Sequence, residues 1–154
     1  KERKVKKTYL ALVHGEVKPA EGEIQVPVGR LPWNRKRFGV IAEGRESRTK
    51  YKVLSIMYYA DKNRDKKPLT LLELNPTTGR THQIRVHLKY LNHPIVSDAL
   101  YGGRKRSRED RKQLSRMFLH AKSISFIHPK TNMPVYFTSD LPFDLQSFLN
   151  LCQK

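Results

Sequence analysis

Residues 79–88 constrain the structure and the partners of this chain more than any other part of its sequence. They place two arginines, two histidines and one glutamine within ten residues, soon after the apolar run 69–74. Polar groups at this density are costly to hold near a core unless a partner outside the chain satisfies them. The stretch therefore predicts contact with a polyanion.

The overall charge agrees with a polyanionic partner. The 154 residues include 31 lysines and arginines against 14 acidic residues, which gives a formal net charge of +17. A charge of this size attracts anionic partners, and nucleic acid is the first candidate. Basic residues also cluster at positions 1–7, 30–52 and 104–116, which favours one shared nucleic-acid groove over a merely solvated face.

Other classes of protein find little support in the sequence. The apolar runs are too short to cross a membrane, and no broad amphipathic helix indicates a membrane surface. The single cysteine, Cys152, excludes internal disulfides and cysteine-rich zinc sites, and it suits an intracellular location, in the cytoplasm or an organelle. His82 and His87 do not have the i, i+4 spacing of a helical zinc pair, so no metal is expected.

Alternation and turn residues predict an α+β domain, built on a mixed, mainly antiparallel sheet with a few flanking helices. Strands are predicted at 5–14, 24–28, 49–57 and 69–74, followed by a hairpin of 119–127 and 135–138. Pro27 suggests that the strand 24–28 lies at an edge. Residues 31–48 are predicted to form a loop, and residues 61–67 a polar turn.

The first predicted helix follows a turn at 75–79, has Thr81 as its N-cap and stops before His93-Pro94. Helical spacing predicts one buried face made of Ile84, Leu88 and Leu91. The same spacing places His82, Arg85 and Lys89 on a neighbouring face, so that an imidazole, a guanidinium and an ammonium point in one direction.

Two further helices are predicted. A short one begins near Glu109 within the third basic cluster. Leu145, Phe148 and Leu149 have the spacing of a closing amphipathic helix.

Several motifs occur in an order that is typical of one family. Thr78-Gly79-Arg80-Thr81-His82-Gln83-Ile84-Arg85-Val86-His87 is followed by His93-Pro94-Ile95, Asp98 and Tyr101-Gly102. Lys7-Thr8-Tyr9-Leu10-Ala11-Leu12-Val13 precedes them, and Gly29-Arg30, Thr49-x-Tyr51-x-Val53-Leu54, Leu119-His120-Ala121 and His128-Pro129 add further agreement. Together these motifs resemble the RluA family of RNA pseudouridine synthases over essentially the whole chain.

The resemblance implies that uridine in rRNA or tRNA is isomerised to pseudouridine without a cofactor or a metal. The nucleophile of that family is an aspartate in a His-Arg-Leu-Asp motif, which this sequence does not contain. We therefore expect residues 1–154 to be the C-terminal portion of a single catalytic domain that lacks its N-terminal part, and to be inactive alone. A sheet edge exposed in this way is expected to allow dimerisation.

The resemblance also assigns roles to individual residues. It implies that Arg85 pairs with the aspartate outside this chain, and that Tyr9 stacks on the flipped base and assists removal of its proton. A structural role is implied for Asp98. The residues expected to contact RNA are Lys7, Arg80, His82, Gln83 and Lys89.

Two other functions stay open at this point. One is a non-catalytic RNA-binding or assembly factor with the same fold. The other is a basic nuclease that uses histidine and lysine, which would cleave RNA rather than isomerise it.

Overall fold

The computed structural model describes residues 5–60 and 66–153. Its strands are β1 (Lys6–His14), β2 (Glu21–Gln25), β3 (Val28–Leu31), β4 (Asn34–Val40), β5 (Arg48–Ala60), β6 (Lys66–Pro76), β7 (Leu119–Ile127) and β8 (Pro134–Thr138). Its helices are α1 (Gln83–Tyr90), α2 (Arg104–Asp110) and α3 (Phe143–Leu151). Residues 1–4 of the first basic cluster and residues 61–65 of the predicted polar turn lie outside the described residues.

A six-stranded sheet in the order β2-β5-β6-β1-β7-β8 forms the centre of the molecule. Each of its strand pairs is antiparallel, which confirms the predicted α+β class. The central strand β1 pairs with β6 on one side and β7 on the other, and its residues Ala11, Leu12 and Val13 are fully buried. Consecutive buried residues show that both faces of the sheet are covered at its centre.

The predicted loop at 31–48 is wrong over Asn34–Val40, because these residues form β4 and pair with β3 in a separate two-stranded sheet. Phe38 and Val40 of this hairpin pack against a small buried cluster that contains Val86 and Tyr101. Tertiary packing therefore stabilises a strand whose own sequence shows little alternation. The predicted strand 24–28 is interrupted at Pro27, which has no N–H to donate to a ladder.

The start of each of the first two helices differs from its prediction. The N-cap of α1 is His82, in a left-handed conformation with φ of 57°, so the prediction of Thr81 is wrong. The helix α2 begins at Arg104 rather than near Glu109, directly after Gly103 with φ of 85°. Glycine adopts such a φ at little cost, and this allows the chain to turn into the helix earlier than its polar sequence suggests.

The predicted buried helix faces are confirmed. Ile84 and Leu88 of α1 and Leu145 and Phe148 of α3 belong to one main core with β1 and β6, and Leu91 packs against that core while partly exposed. Within the residues that the structure describes, no helix is both long enough and apolar enough to cross a membrane.

Candidate active site

The side chain of Gln83 fixes the start of α1. Its Oε1 accepts hydrogen bonds from Thr78 Oγ1 at 2.6 Å and from the backbone N–H of Arg80 at 3.0 Å. Its Nε2 donates to the backbone oxygen of Arg48 at 2.9 Å and to Thr49 Oγ1 at 3.0 Å. Gln83 is buried, and these four hydrogen bonds are all made within the protein, while its expected contact with RNA stays a prediction. We conclude that Gln83 supports the turn that carries Arg80.

Arg85 of α1 is held by Asp98 through two parallel hydrogen bonds. Nε donates to Oδ2 and Nη2 donates to Oδ1, each at 2.8 Å. The Arg85 side chain is 18% exposed and the Asp98 side chain is fully buried. A bidentate pair of this kind fixes both the position and the plane of the guanidinium. The resemblance assigns Arg85 to a carboxylate outside this chain, whereas the structure places it on a carboxylate of the chain itself.

The carboxylate of Asp98 also accepts hydrogen bonds from two backbone N–H groups. Those of Leu100 and Tyr101 each lie 2.9 Å from Oδ1. Burial alone would raise the pKa of Asp98, but the hydrogen bonds from Arg85 and from these backbone groups lower it below its ordinary value. Asp98 is therefore an ionised anchor, and its bond to Arg85 raises the pKa of the guanidinium.

Tyr101 links Arg85 to His82. The Arg85 guanidinium carbon lies 4.8 Å from the centre of the Tyr101 ring, which is a cation–π distance. The Tyr101 hydroxyl accepts a hydrogen bond from the backbone N–H of Phe38 at 3.0 Å and shares another with His82 Nδ1 at 2.9 Å. Strand β4, which the sequence does not predict, thus helps to position the site.

The pKa of His82 is lowered from its ordinary value of 6.5. Burial is the largest cause, and the positive charge of Arg85 adds to it, while the charge of Asp98 opposes the shift. The shift favours the neutral imidazole of His82 over the cation.

Tyr9 lies on the sheet face that α1 covers. In β1 it is opposite Leu74 of β6, which is itself opposite Tyr51 of β5. Opposite residues share a face of the sheet, as do residues two apart in one strand, so Thr49 lies on the same face as Tyr9. Because the Thr49 hydroxyl contacts Gln83, the helix that carries Arg85 covers the face that carries the half-buried Tyr9.

Lys7 lies beside the turn that precedes α1. It lines a cavity of about 170 Å³ together with Gly79 and the residues 76–78. A Cβ atom on Gly79 would lie 3.9 Å from Lys7 Nζ. Arg80, in the same turn, donates from Nε to the backbone oxygen of Glu46 at 3.3 Å. Two of the residues expected to contact RNA are therefore brought to one end of the sheet.

Lys89 and His87 lie in two different environments. Lys89 is exposed and lines a groove that Tyr101 also borders, whereas His82 and Arg85 contact Tyr101 directly. His87 is fully buried, with Thr49 Oγ1 2.9 Å from its Nδ1, and burial lowers its pKa. Among residues 5–60 and 66–153, no three histidine, cysteine or acidic side chains are grouped in a way that could hold a metal.

Sequence reasoning missed the central position of Tyr101. The sequence signal that could have indicated it is the three-residue spacing of Asp98 and Tyr101. At this spacing the Asp98 side chain accepts a hydrogen bond from the backbone N–H of Tyr101. The motif was visible, but its contact with Arg85 was not.

Comparisons with known proteins agree with the motifs. The model of a family described as RNA pseudouridylate synthase matches residues 1–90. An RNA pseudouridine synthase of Chloroflexus aurantiacus is 42% identical over 151 residues, which are 98% of this chain and 43% of that protein. Ribosomal large subunit pseudouridine synthase D of Nitrosomonas europaea is 36% identical over 154 residues, covering 96% of this chain and 41% of its own length.

A solved structure has the same fold. Human RNA Pseudouridylate Synthase Domain Containing 1 superposes with a TM-score of 0.81 at 33% identity, over 99% of this chain and 60% of that chain. The chain spans less than half the length of the two curated relatives just described. Together with the motif order, these matches show that the chain belongs to the RNA pseudouridylate synthase family, as its resemblance to the RluA family predicts.

Proposed function

We propose that the protein carrying this chain isomerises uridine to pseudouridine in rRNA or tRNA, and that this chain contributes Tyr9 and Arg85 to the active site. The observation that best supports this role is the fixed position of Arg85. A partly buried guanidinium is clamped by a fully buried carboxylate, in the helix that covers the face of Tyr9.

Arg85 has donors left for a second carboxylate. A guanidinium carries about five N–H donors, and Asp98 takes two of them. Among the described residues, Nη1 has no hydrogen-bond partner. In this proposal the remaining donors face the nucleophilic aspartate, which a segment outside this chain supplies. A fixed guanidinium would keep that aspartate ionised and therefore nucleophilic.

Tyr9 is proposed to hold the target base after it leaves the RNA stack. Unstacking costs a few kcal/mol, and stacking on an aromatic ring recovers about 1–3 kcal/mol for each base. The bond from the ribose to N1 breaks and a bond from the ribose to C5 forms, after which C5 loses its proton and N1 gains one. The Tyr9 hydroxyl is proposed to assist that removal.

Backbone contacts with RNA are proposed for Lys7, Arg80, His82 and Lys89, with Gln83 acting indirectly through the turn. The reaction as proposed transfers no electrons and joins no second substrate, so it requires no redox cofactor. Because the substrate is RNA, we also propose that the protein acts inside the cell.

The test is tritium release from RNA that contains uridine labelled at C5, with the full-length gene product as the enzyme. We expect Arg85→Ala to lower the rate by about 10²–10³-fold, as for other fixed groups that stabilise charge. Tyr9→Phe keeps the ring and should lower the rate by about 10²–10⁴-fold if the hydroxyl moves a proton. Lys122→Ala is the control, because this half-exposed lysine lies outside the three basic clusters and pairs with Glu73.

Full activity of Arg85→Ala would contradict the assigned role. RNA binding without tritium release by the full-length protein would instead identify a non-catalytic RNA-binding or assembly factor. Strand cleavage would identify a nuclease. The 154-residue chain alone is expected to release no tritium, because the proposed nucleophile is not part of it.

A further inference from the structure

A basic groove of about 890 Å³ lies beside Tyr101, on the side of the chain formed by α2. We call it the α2 groove. Its fourteen lining residues include no aspartate or glutamate. Its six basic lining residues are Arg37, Lys89, Arg104, Arg106, Arg108 and Arg111.

The acidic residues of α2 do not neutralise this groove. Asp110 is engaged by His14 Nε2 and by the backbone N–H of Ser97, each at 2.9 Å. Glu109 forms an ion pair with Lys112, which is not a lining residue. Within residues 5–60 and 66–153, none of the six basic lining residues forms an ion pair with an acidic side chain. No ion pair with a described acidic side chain therefore compensates the charge of these six residues.

The position of the groove connects it to the candidate active site. Tyr101 contacts Arg85 through its ring and His82 through its hydroxyl, and it also lines the groove. A strand bound at Arg85 would therefore lie next to a residue that also borders the α2 groove. Lys89, one helical turn after Arg85, lines the same groove.

Resting on the function proposed above, we propose that the α2 groove binds the phosphodiester backbone of the RNA next to the target uridine. Several separate cations suit a chain of phosphates better than one small anion. Guanidinium groups bind phosphate oxygens in a bidentate manner, and such contacts orient the RNA without reading its sequence. A membrane surface is a poorer fit, because it requires an apolar face that inserts between lipids.

The test is RNA binding by the full-length protein as a function of salt, measured by fluorescence anisotropy with a labelled RNA substrate. The variant combines Arg104→Gln, Arg106→Gln and Arg108→Gln. The control combines Lys66→Gln, Lys122→Gln and Lys130→Gln, which removes the same charge from exposed positions outside the groove. Circular dichroism verifies that both variants are folded.

We expect the slope of log affinity against log salt to become shallower by about 0.7 for each phosphate that the variant no longer neutralises, or about 2 in the α2 variant. At about 0.1 M salt the same relation corresponds to a decrease of about 10²-fold in affinity. The control variant should keep the slope of the wild type.

An unchanged slope in the α2 variant, or an equal change in both variants, would overturn the proposal. It would also be overturned if the α2 variant bound RNA normally but failed to bind vesicles of phosphatidylserine and phosphatidylcholine that the wild type binds. Tritium release by the wild type distinguishes a failure of the groove proposal from a failure of the proposed function. Turnover together with an unchanged slope rejects only the groove, whereas a changed slope without turnover rejects the isomerase and leaves the groove as an RNA-binding site with no target uridine.

Discussion

Asp98 connects three parts of the candidate site through a single carboxylate. It binds Arg85 through both oxygens and caps the backbone of Leu100 and Tyr101. An ion pair of this kind adds little net stability compared with apolar packing. Removing one of its partners, however, leaves the other charge in the protein without a counter-charge. We therefore assign to Asp98 the positioning of Arg85 rather than stabilisation as its main role.

Asp98→Asn should lower the free energy of unfolding by about 3–5 kcal/mol, because Arg85 is then left partly buried without a counter-charge. Urea unfolding measures the change. Asp144→Asn serves as the control, since its contact with Arg116 is long and exposed, and we expect a change below about 1 kcal/mol. A destabilisation no larger than that of the control would show that Asp98 does not hold the arginine in solution.

The lowered pKa of Asp98 also predicts a pH dependence. The contribution of this carboxylate to stability is fully present above its ordinary pKa of 3.8 and is lost as the pH falls through its lower pKa in the folded state. The wild type should therefore lose stability on acidification below about pH 4 more steeply than Asp98→Asn does. Thermal unfolding between about pH 2 and about pH 6 measures both slopes, and parallel curves would contradict the assignment.

His82 should titrate below its ordinary pKa of 6.5. Because part of the shift comes from the charge of Arg85, Arg85→Gln should move the pKa of His82 back upwards, and the lowering caused by burial should remain. NMR titration of the His82 ring measures both values. Arg116→Gln, which is distant in sequence and half exposed, should leave the titration unchanged.

The start of α1 depends on side-chain contacts more than on a conventional cap. His82 makes no capping hydrogen bond with its side chain, and the first turn contains no acidic residue. Gln83 instead ties the helix to β5 and to the turn at 78–80 through four hydrogen bonds. The orientation of Arg85 therefore depends on this glutamine, two positions before it.

Gln83→Ala should lower the free energy of unfolding by about 1–3 kcal/mol, because the buried Thr49 hydroxyl loses one of its hydrogen bonds and the backbone N–H of Arg80 loses its acceptor. Gln113→Ala is a matched control at an exposed position and should change stability by less than about 0.5 kcal/mol. Chemical unfolding measures the free energy of unfolding of both variants. Equal effects would show that the amide network does not anchor the helix.

The molecule as a whole carries a large excess of positive charge, and the fold concentrates part of it beside the candidate site. Arg37 from the second basic cluster and four arginines from the third line one groove with Lys89 of α1. The shared groove predicted from the sequence thus has a specific location for these residues. Its binding of RNA stays a prediction.

RNA binding by the protein should be strongly dependent on salt. If about 6–10 phosphates are contacted, affinity should fall by roughly 10³–10⁵ between about 50 and 200 mM salt. Anisotropy titrations at several salt concentrations measure the slope. A flat response would show that the positive charge does not meet the RNA backbone.

Association through a sheet edge remains a prediction for the 154-residue chain. The strand β8 ends the described sheet, and its residues Tyr136 and Phe137 are 67% and 58% exposed. An edge strand with exposed aromatic residues can pair with a second copy. Light scattering should give a dimer, whereas a monodisperse monomer would exclude this association.

The sequence by itself determined the elements whose patterns are local. Alternation predicts β5 and an apolar run predicts β6, helical spacing defines the buried faces of α1 and α3, and the order of the motifs indicates the family. These signals work because a strand or an amphipathic helix repeats its contacts every two or every three to four residues. Arg85 and Tyr9 were candidates on the motifs alone.

Only the tertiary structure decided which groups meet. The bond from Arg85 to Asp98, the position of Tyr101 between Arg85 and His82, and the strand β4 all depend on contacts between residues distant in sequence. No local period encodes such contacts, because they follow from the path of the chain between the partners. The fold brings a partly buried arginine and a fully buried aspartate, thirteen positions apart, into one ion pair, and that pair sets the geometry of the site.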